Sequence, residues 1–152
     1  MKRNDIRLIP IANGTVLDHL PAGSALKILE VLGLDKLNNA VTIAINTESK
    51  RMGRKDLVFV EGKELSGEET DKIGLIAAGA TLNVIKSSEV KRKETIQMPD
   101  HADGLIECMN PKCITTIEGL PTRFQIRKKP LRAKCAYCEK EMNEKEIFGA
   151  IK

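Results

Sequence analysis

The chain has 152 residues and a formal charge of +4, with one Tyr, three Phe and no Trp. That is enough for one domain or two small ones, but too weakly basic to announce a nucleic-acid binder. The few aromatics also argue against a stacking platform for single strands, and no apolar run approaches the ~20 residues that span a bilayer.

In chain order, "GTVLDHL" (14–20) is a short β-prone segment ending at Pro21. The next stretch, "AGSALKILEVLGL", predicts an amphipathic helix with Ser24 as N-cap, Leu26, Leu29 and Leu32 in the core, and Gly33 after its last turn. "AVTIAIN" (40–46) alternates as a half-buried strand does, and "DLVFVEG" (56–62) reads as its hairpin partner. The polar stretch between them, 47–55, reads as a long loop. "SGEETDKIGLIAAG" (66–79) opens on a Ser66-x-x-Glu69 capping box and closes at Gly79. "ATLNVI" (80–85) is a third strand after the second, and 87–96 a further extended segment.

The order β-α-β-β-α-β is that of a ferredoxin-like sandwich, with an antiparallel sheet and both helices on one face. The other face or an edge is then free for a ligand or partner. "QMPDHADG" (97–104) reads as a linker. Beyond it "LIEC" and "TRFQIRK" read as strands of a small all-β module. The fold class expected is α+β, divided into residues 1–97 and 98–152.

That last module holds all four cysteines: Cys108 and Cys113 in "CMNPKC", and Cys135 and Cys138 in "CAYC". Two close pairs separated by one long gap are the spacing of a four-cysteine zinc ribbon or rubredoxin-like site. A site closed by four thiolates offers no position for a reacting water, so the metal is structural, one Zn2+ per chain. The four thiolates and one ion together add about −2 to the charge. Two disulfides are the alternative, but the first 20 residues hold no secretory apolar region, and a cytoplasmic chain keeps its thiols reduced unless it comes from a hyperthermophile. A redox role for "CAYC" is a third reading, though that motif ordinarily sits beside a βαβ pattern. The basic run "RKKPLRAK" (127–134), with Lys112 and Lys140, offsets the charge of a tetrathiolate or forms a nucleic-acid patch.

Taken in order, "GTVLDHLPAG", "MGRKDLVFVEG", "ATLNVI" and "CAYCEKE" resemble the regulatory chains of aspartate carbamoyltransferase, over nearly the whole length. The resemblance implies a non-catalytic subunit whose N-terminal domain binds nucleotide effectors (CTP, ATP, with UTP as a further candidate). Its zinc domain would dock on the catalytic chain of de novo pyrimidine biosynthesis. It further implies regulatory homodimers within a hetero-oligomer of six catalytic and six regulatory chains. Position by position, Asp18 and His19 match a ribose- and phosphate-contacting pair, Lys55 and Lys93 phosphate-neutralising lysines, and Ile11 a residue whose backbone reads the base. Asn83, Ile85 and Val90 match pocket-lining positions, and Asn110, Glu139 and Lys140 match residues facing the catalytic chain. The chain departs from the pattern at Phe59, where the family has a lysine, and at Ser88, where it has an aromatic.

Taken alone, Asp18-His19 suits an ordinary strand end, and "KSSEVKRKE" a solvent-facing edge strand. The competing functions are a zinc-ribbon nucleic-acid binder and an enzyme. The second suffers from supply: two His, no thiol outside the cluster, and no Ser-His or paired-carboxylate constellation.

Overall fold

The computed structural model describes residues 12–152, so Ile11 lies outside the described residues. Strand β1 (Gly14–Pro21) leads into helix α1 (Ser24–Leu32), followed by β2 (Val41–Ser49), β3 (Gly53–Glu61), α2 (Gly67–Ala77), β4 (Thr81–Lys86) and β5 (Glu89–Thr95). The strands form one antiparallel sheet in the order β2-β3-β1-β4-β5. The first four are ordered as in a ferredoxin-like fold, and β5 extends the β4 edge. Leu17, Val58, Val60, Leu82 and Val84 pack with Ala25 and Ile28 of α1 and Ile73 and Ala77 of α2, so both helices cover one face. Each buried Leu, Ile or Val side chain among these contributes about 1.5–3 kcal/mol by leaving water.

Residues 47–55 are not a loop. β2 and β3 both extend into them, with Thr47 opposite Lys55 and Ser49 opposite Gly53, leaving only 50–52 as the turn. A bulge between Ala44 and Thr47 absorbs the register change, and the Thr47 hydroxyl donates to the Lys55 carbonyl at 3.0 Å. Polar residues sit easily here because the hairpin end is solvated.

The first helix also differs from expectation. Gly23, at φ 93°, is its N-cap, and the Ser24 hydroxyl donates back to the Pro21 carbonyl. The cap comes instead from β3: the buried Asp56 carboxylate accepts from the N–H groups of Gly23 (2.9 Å) and Ala25 (3.1 Å). The face set this way buries Ala25 and Ile28, leaving Leu26 57% exposed and Leu29 and Leu32 only partly buried. The capping box of α2 forms as expected, Ser66 and Glu69 each serving the other's N–H.

The C-terminal part contains β6 (His101–Asp103), α3 (Ile114–Glu118), β7 (Arg123–Arg127), β8 (Arg132–Cys135), β9 (Glu141–Asn143) and α4 (Glu144–Ala150). Its antiparallel sheet runs β6-β7-β8-β9. Thus the stretch read as linker contributes an edge strand, and "LIEC" is no ladder strand: Ile106 makes a single bridge to Ile151. Phe124, Ile106, Ala133, Met142 and Ile147 form a second core around Cys113 and Cys135. Leu75 of α2 belongs to that core too, at 1% exposure.

Candidate functional site

Two places carry chemistry. The first is the cysteine cluster. Cys108 and Cys113 flank a knuckle in which Cys113 N–H donates to the Asn110 carbonyl at 3.0 Å and the Asn110 side chain accepts from Lys112 N–H at 3.0 Å. Cys113 then starts α3. The second knuckle closes on itself: Cys135 N–H donates to the Lys140 carbonyl and Glu139 N–H to the Cys135 carbonyl, with Glu139 at φ 64°.

The four sulfur atoms lie within 4.8 Å of one another. Cys108 Sγ stands 3.7 Å from Cys138 Sγ, and Cys113 Sγ 3.8 Å from Cys135 Sγ. A disulfide needs about 2.05 Å. Ligands about 2.3 Å from a zinc ion at tetrahedral corners stand about 3.8 Å apart, so the sulfur spacing suits an S4 metal shell.

The thiols are electrostatically unequal. The Thr115 hydroxyl, 3.1 Å from Cys113 Sγ, pulls that thiol down to about 6. Burial pushes Cys108 up to about 12 and raises Cys135. At Cys138 burial is outweighed by the Asn110 side chain and the Lys140 backbone, and the thiol is lowered. Two low and two high thiols are what four sulfurs sharing protons produce, and a divalent cation displaces those protons.

The second place is the sheet face opposite the helices. Because side chains alternate, Val16, Phe59 and Asn83 face away from the core built by Leu17, Val58 and Leu82. Register puts Thr42, Phe59, Val16, Asn83 and Lys93 in one row across all five strands. One step along, a β1 bulge between Leu17 and Leu20 contains Asp18 and His19, the latter at φ 57°. Lys55 Nζ is 2.9 Å from Asp18 Oδ1, and His19 Nδ1 is 3.0 Å from Thr81 Oγ1. Ile85 pairs with Val90 at the far end of the β4–β5 ladder. Ser88 sits in the turn at φ 64°, where its N–H donates to the Ala12 carbonyl.

The fold therefore gathers Asp18, His19, Lys55, Asn83 and Lys93 on neighbouring strands, with Ile85 and Val90 at the margin. Asp18 and Lys55, assigned separate contacts by the resemblance, hold one another. Asn110 is half-buried beside the first knuckle, and Glu139 and Lys140 are exposed beside the second.

Sequence reasoning missed Asp56, Thr81 and Thr115. It also missed an apolar surface on the cysteine module: Met109, Ile114, Ile117, Leu120 and Tyr137 are 40–65% exposed. α3 supplies part of it, and its five residues are too few for a periodic signal.

Two family profiles match the chain. Residues 6–97 match the aspartate carbamoyltransferase regulatory chain, allosteric domain, and residues 100–148 match the metal binding domain of the same chain. The aspartate carbamoyltransferase regulatory chain of Pyrococcus horikoshii is 47% identical over 150 residues, covering 97% of this chain and 99% of that one. That of Thermococcus kodakarensis is 44% identical over 145 residues, covering 94% and 95%. That of Sulfolobus acidocaldarius is 41% identical over 152 residues, covering 98% and 93%.

Proposed function

Because the chain belongs to the family of aspartate carbamoyltransferase regulatory chains, we propose that it is a non-catalytic subunit that binds nucleoside triphosphates and passes their effect to catalytic chains. Residues 1–97 form the effector-binding part and residues 98–152 the docking part. The effectors are CTP and ATP, with UTP as a third candidate, and the pathway controlled is de novo pyrimidine biosynthesis in the cytoplasm.

The observation that carries this reading is the gathering of Asp18, His19, Lys55, Asn83 and Lys93 on the helix-free sheet face. Two lysines and a histidine make a cationic basin for a triphosphate. The Asp18 carboxylate suits a ribose hydroxyl, and Asn83, Ile85 and Val90 line the rest. Lys55 already pairs with Asp18, so an entering phosphate competes with that carboxylate for it.

The metal is one structural Zn2+ held by Cys108, Cys113, Cys135 and Cys138. When bound it would cross-link the two knuckles and offset part of the thiolate charge, and its binding energy is folding energy for so small a module. The knuckles present Asn110, Glu139 and Lys140, beside the exposed apolar side chains of Met109, Ile114 and Ile117, to the catalytic chain. Large apolar side chains exposed together on one small module suit a partner surface. Regulatory chains pair with one another, and six of them join six catalytic chains. A nucleic-acid role has less support. Arg127 and Lys128, in the basic run, are paired with Glu141 and Asp100 at 2.9 and 3.4 Å.

The test is co-expression with the catalytic chain, followed by zinc analysis and carbamoyl transfer with and without CTP and ATP. One zinc per chain, a co-purifying hetero-oligomer and a nucleotide-dependent rate are expected. A complex that forms but responds to neither nucleotide would overturn the effector reading.

A further inference from the structure

We propose that Asp56, which faces no solvent and belongs to neither cysteine knuckle, is the positioning residue of the nucleotide pocket; the inference rests on the effector reading above. Asp56 is fully buried in the middle of β3. Its hydrogen bonds among the described residues all come from backbone N–H groups. Oδ2 accepts from Gly23 at 2.9 Å and Ala25 at 3.1 Å, and Oδ1 accepts from Asn46 at 3.0 Å. One carboxylate therefore ties β3 to the start of α1 and to β2.

Those contacts lie beside two of the sheet's three irregular points, the bulges of β1 and β2. Asn46, at φ 57°, lies in the β2 bulge between Ala44 and Thr47. Asp56 itself pairs with Leu20, the first regular residue after the β1 bulge that carries Asp18 and His19. Both bulges flank β3 at the level of Asp56, and Lys55 is its chain neighbour. The segment leaving the β1 bulge runs through Leu20 and Pro21 directly to the clamped N–H groups of Gly23 and Ala25.

A left-handed residue inside a strand persists only where its surroundings hold it. At His19 the hold comes from the Asp18 carboxylate, which accepts the His19 N–H, and from the downstream clamp at Asp56. At Asn46 it comes from Asp56 and from Arg54, which donates to the Asn46 carbonyl at 3.0 Å. Burying a carboxylate to serve three amides is a costly route to stability alone. What it fixes is the spacing between the bulge bearing Asp18 and His19 and the strand bearing Lys55. Asp56 thus sets the distance between the ribose acceptor and the phosphate cation without touching a nucleotide.

The experiment uses the zinc-loaded complex with the catalytic chain, and calorimetric titration with CTP and ATP. Asp56→Asn retains the side-chain shape but turns an NH2 group toward backbone donors. It is expected to raise the Kd of both nucleotides about tenfold, the scale of one lost charge-assisted hydrogen bond. Zinc content and sedimentation of the complex stay as in the wild type, which a general loss of folding would not allow. A second measurement needs no variant: CTP binding to the wild-type complex should slow hydrogen exchange at the Gly23, Ala25 and Asn46 amides about tenfold.

If Asp56→Asn assembles and binds both nucleotides with wild-type affinity, the inference is wrong while the pocket stands. Unchanged exchange at the three amides, with CTP bound, overturns it equally. A wild-type complex that binds neither CTP nor ATP brings down the pocket reading and this inference with it.

Discussion

Lys55 Nζ lies 2.9 Å from Asp18 Oδ1, so the two ligand-binding candidates of opposite charge neutralise one another in the free chain. Both side chains are largely shielded, at 19% and 25% exposure, which strengthens the pair beyond a surface ion pair. A triphosphate must compete with Asp18 for this lysine. Asp18→Asn should therefore tighten the binding of inorganic tripolyphosphate, which has no ribose, and tighten CTP less or not at all. Lys55→Ala should weaken both by about 1.5–3 kcal/mol. Calorimetry with the two ligands separates the roles, and a loss of tripolyphosphate affinity in Asp18→Asn would show that the carboxylate does not compete.

Phe59 shares its row with Val16 and Thr42, and its ring has no donor for a base carbonyl. Phe59→Lys should strengthen nucleotide binding or change the order of preference between CTP and ATP. An unaltered order and unaltered affinities would mean that the base is read by backbone alone.

Much of this architecture was legible because it rests on local pattern. The Ser66-x-x-Glu69 box and the cysteine spacing each report a short-range rule and appear in the fold; the alternation in 40–46 gives β2 with Val41 and Ile43 against the core, but Ile45, at the edge of the bulge, is 50% exposed. What escaped depends on distant partners. The cap of α1 comes from Asp56, more than 30 residues away in the chain, so Ser24 looked like the cap. The rotation of α1 follows from that clamp, which is why Leu26 points out and Ala25 points in. Within the candidate site, residue types could be read beforehand, and so could strand membership except at Lys55, which falls in the stretch read as a loop and lies in β3. The Asp18–Lys55 pair, the Thr81 contact and the bulge geometry could not, since register decides them.

Glu69 gives the N-terminal domain a pH dependence of known sign. Burial opposes its charge, but the Ser66 N–H and the Lys63 ammonium outweigh this and lower its pKa below the usual 4.5. The folded chain therefore releases this proton more readily than the unfolded one. The stabilisation is fully present above 4.5 and fades as pH falls below it through the folded value. Asp71, pushed upward by burial, acts in the opposite sense, so substitution is the cleaner probe. Glu69→Gln should lower stability at pH 7 and flatten the decline between pH ~5 and ~3. Denaturant titrations across that range check it, and a slope identical to wild type would count against the assignment.

Leu75 sits on α2 yet fills the second core, and Gly74 beside it approaches the chain at Gln97 so closely that an added Cβ would overlap the Gln97 carbonyl oxygen. The joint between the two parts thus includes one buried side chain, Leu75, and a close approach of Gly74 to the chain at Gln97 and Pro99. Leu75→Ala should cost about 2–5 kcal/mol and separate a single unfolding transition into two. Gly74→Ala should push α2 off the segment around Gln97 and do the same with no apolar surface lost. Calorimetric scans showing one unchanged transition in both variants would mean that the contact does not couple the parts.

Around the knuckles, Ile117 is the most exposed large apolar side chain of the chain's described part, at 65%, with Lys140 exposed beside the second cysteine pair. An exposed isoleucine contributes little to the folding of the isolated chain, so Ile117→Ser should leave its stability and zinc content unchanged. If the catalytic chain covers it, the same change should weaken assembly by about 1–2 kcal/mol. Lys140 has two conceivable tasks. As compensation for the tetrathiolate charge, Lys140→Glu would loosen zinc and leave docking of the zinc-loaded protein nearly intact. As half of an inter-chain ion pair, it would keep zinc and lose assembly, by several kcal/mol where the partner charge is left buried. The second outcome is expected, because Lys140 is exposed and its backbone carbonyl, accepting from Cys135 N–H at 3.0 Å, already fixes its place on the knuckle without the side chain. Sedimentation of mixed chains together with zinc analysis reads both quantities at once. A zinc-replete Lys140→Glu chain that assembles at wild-type affinity would show that the interface lies elsewhere on the module.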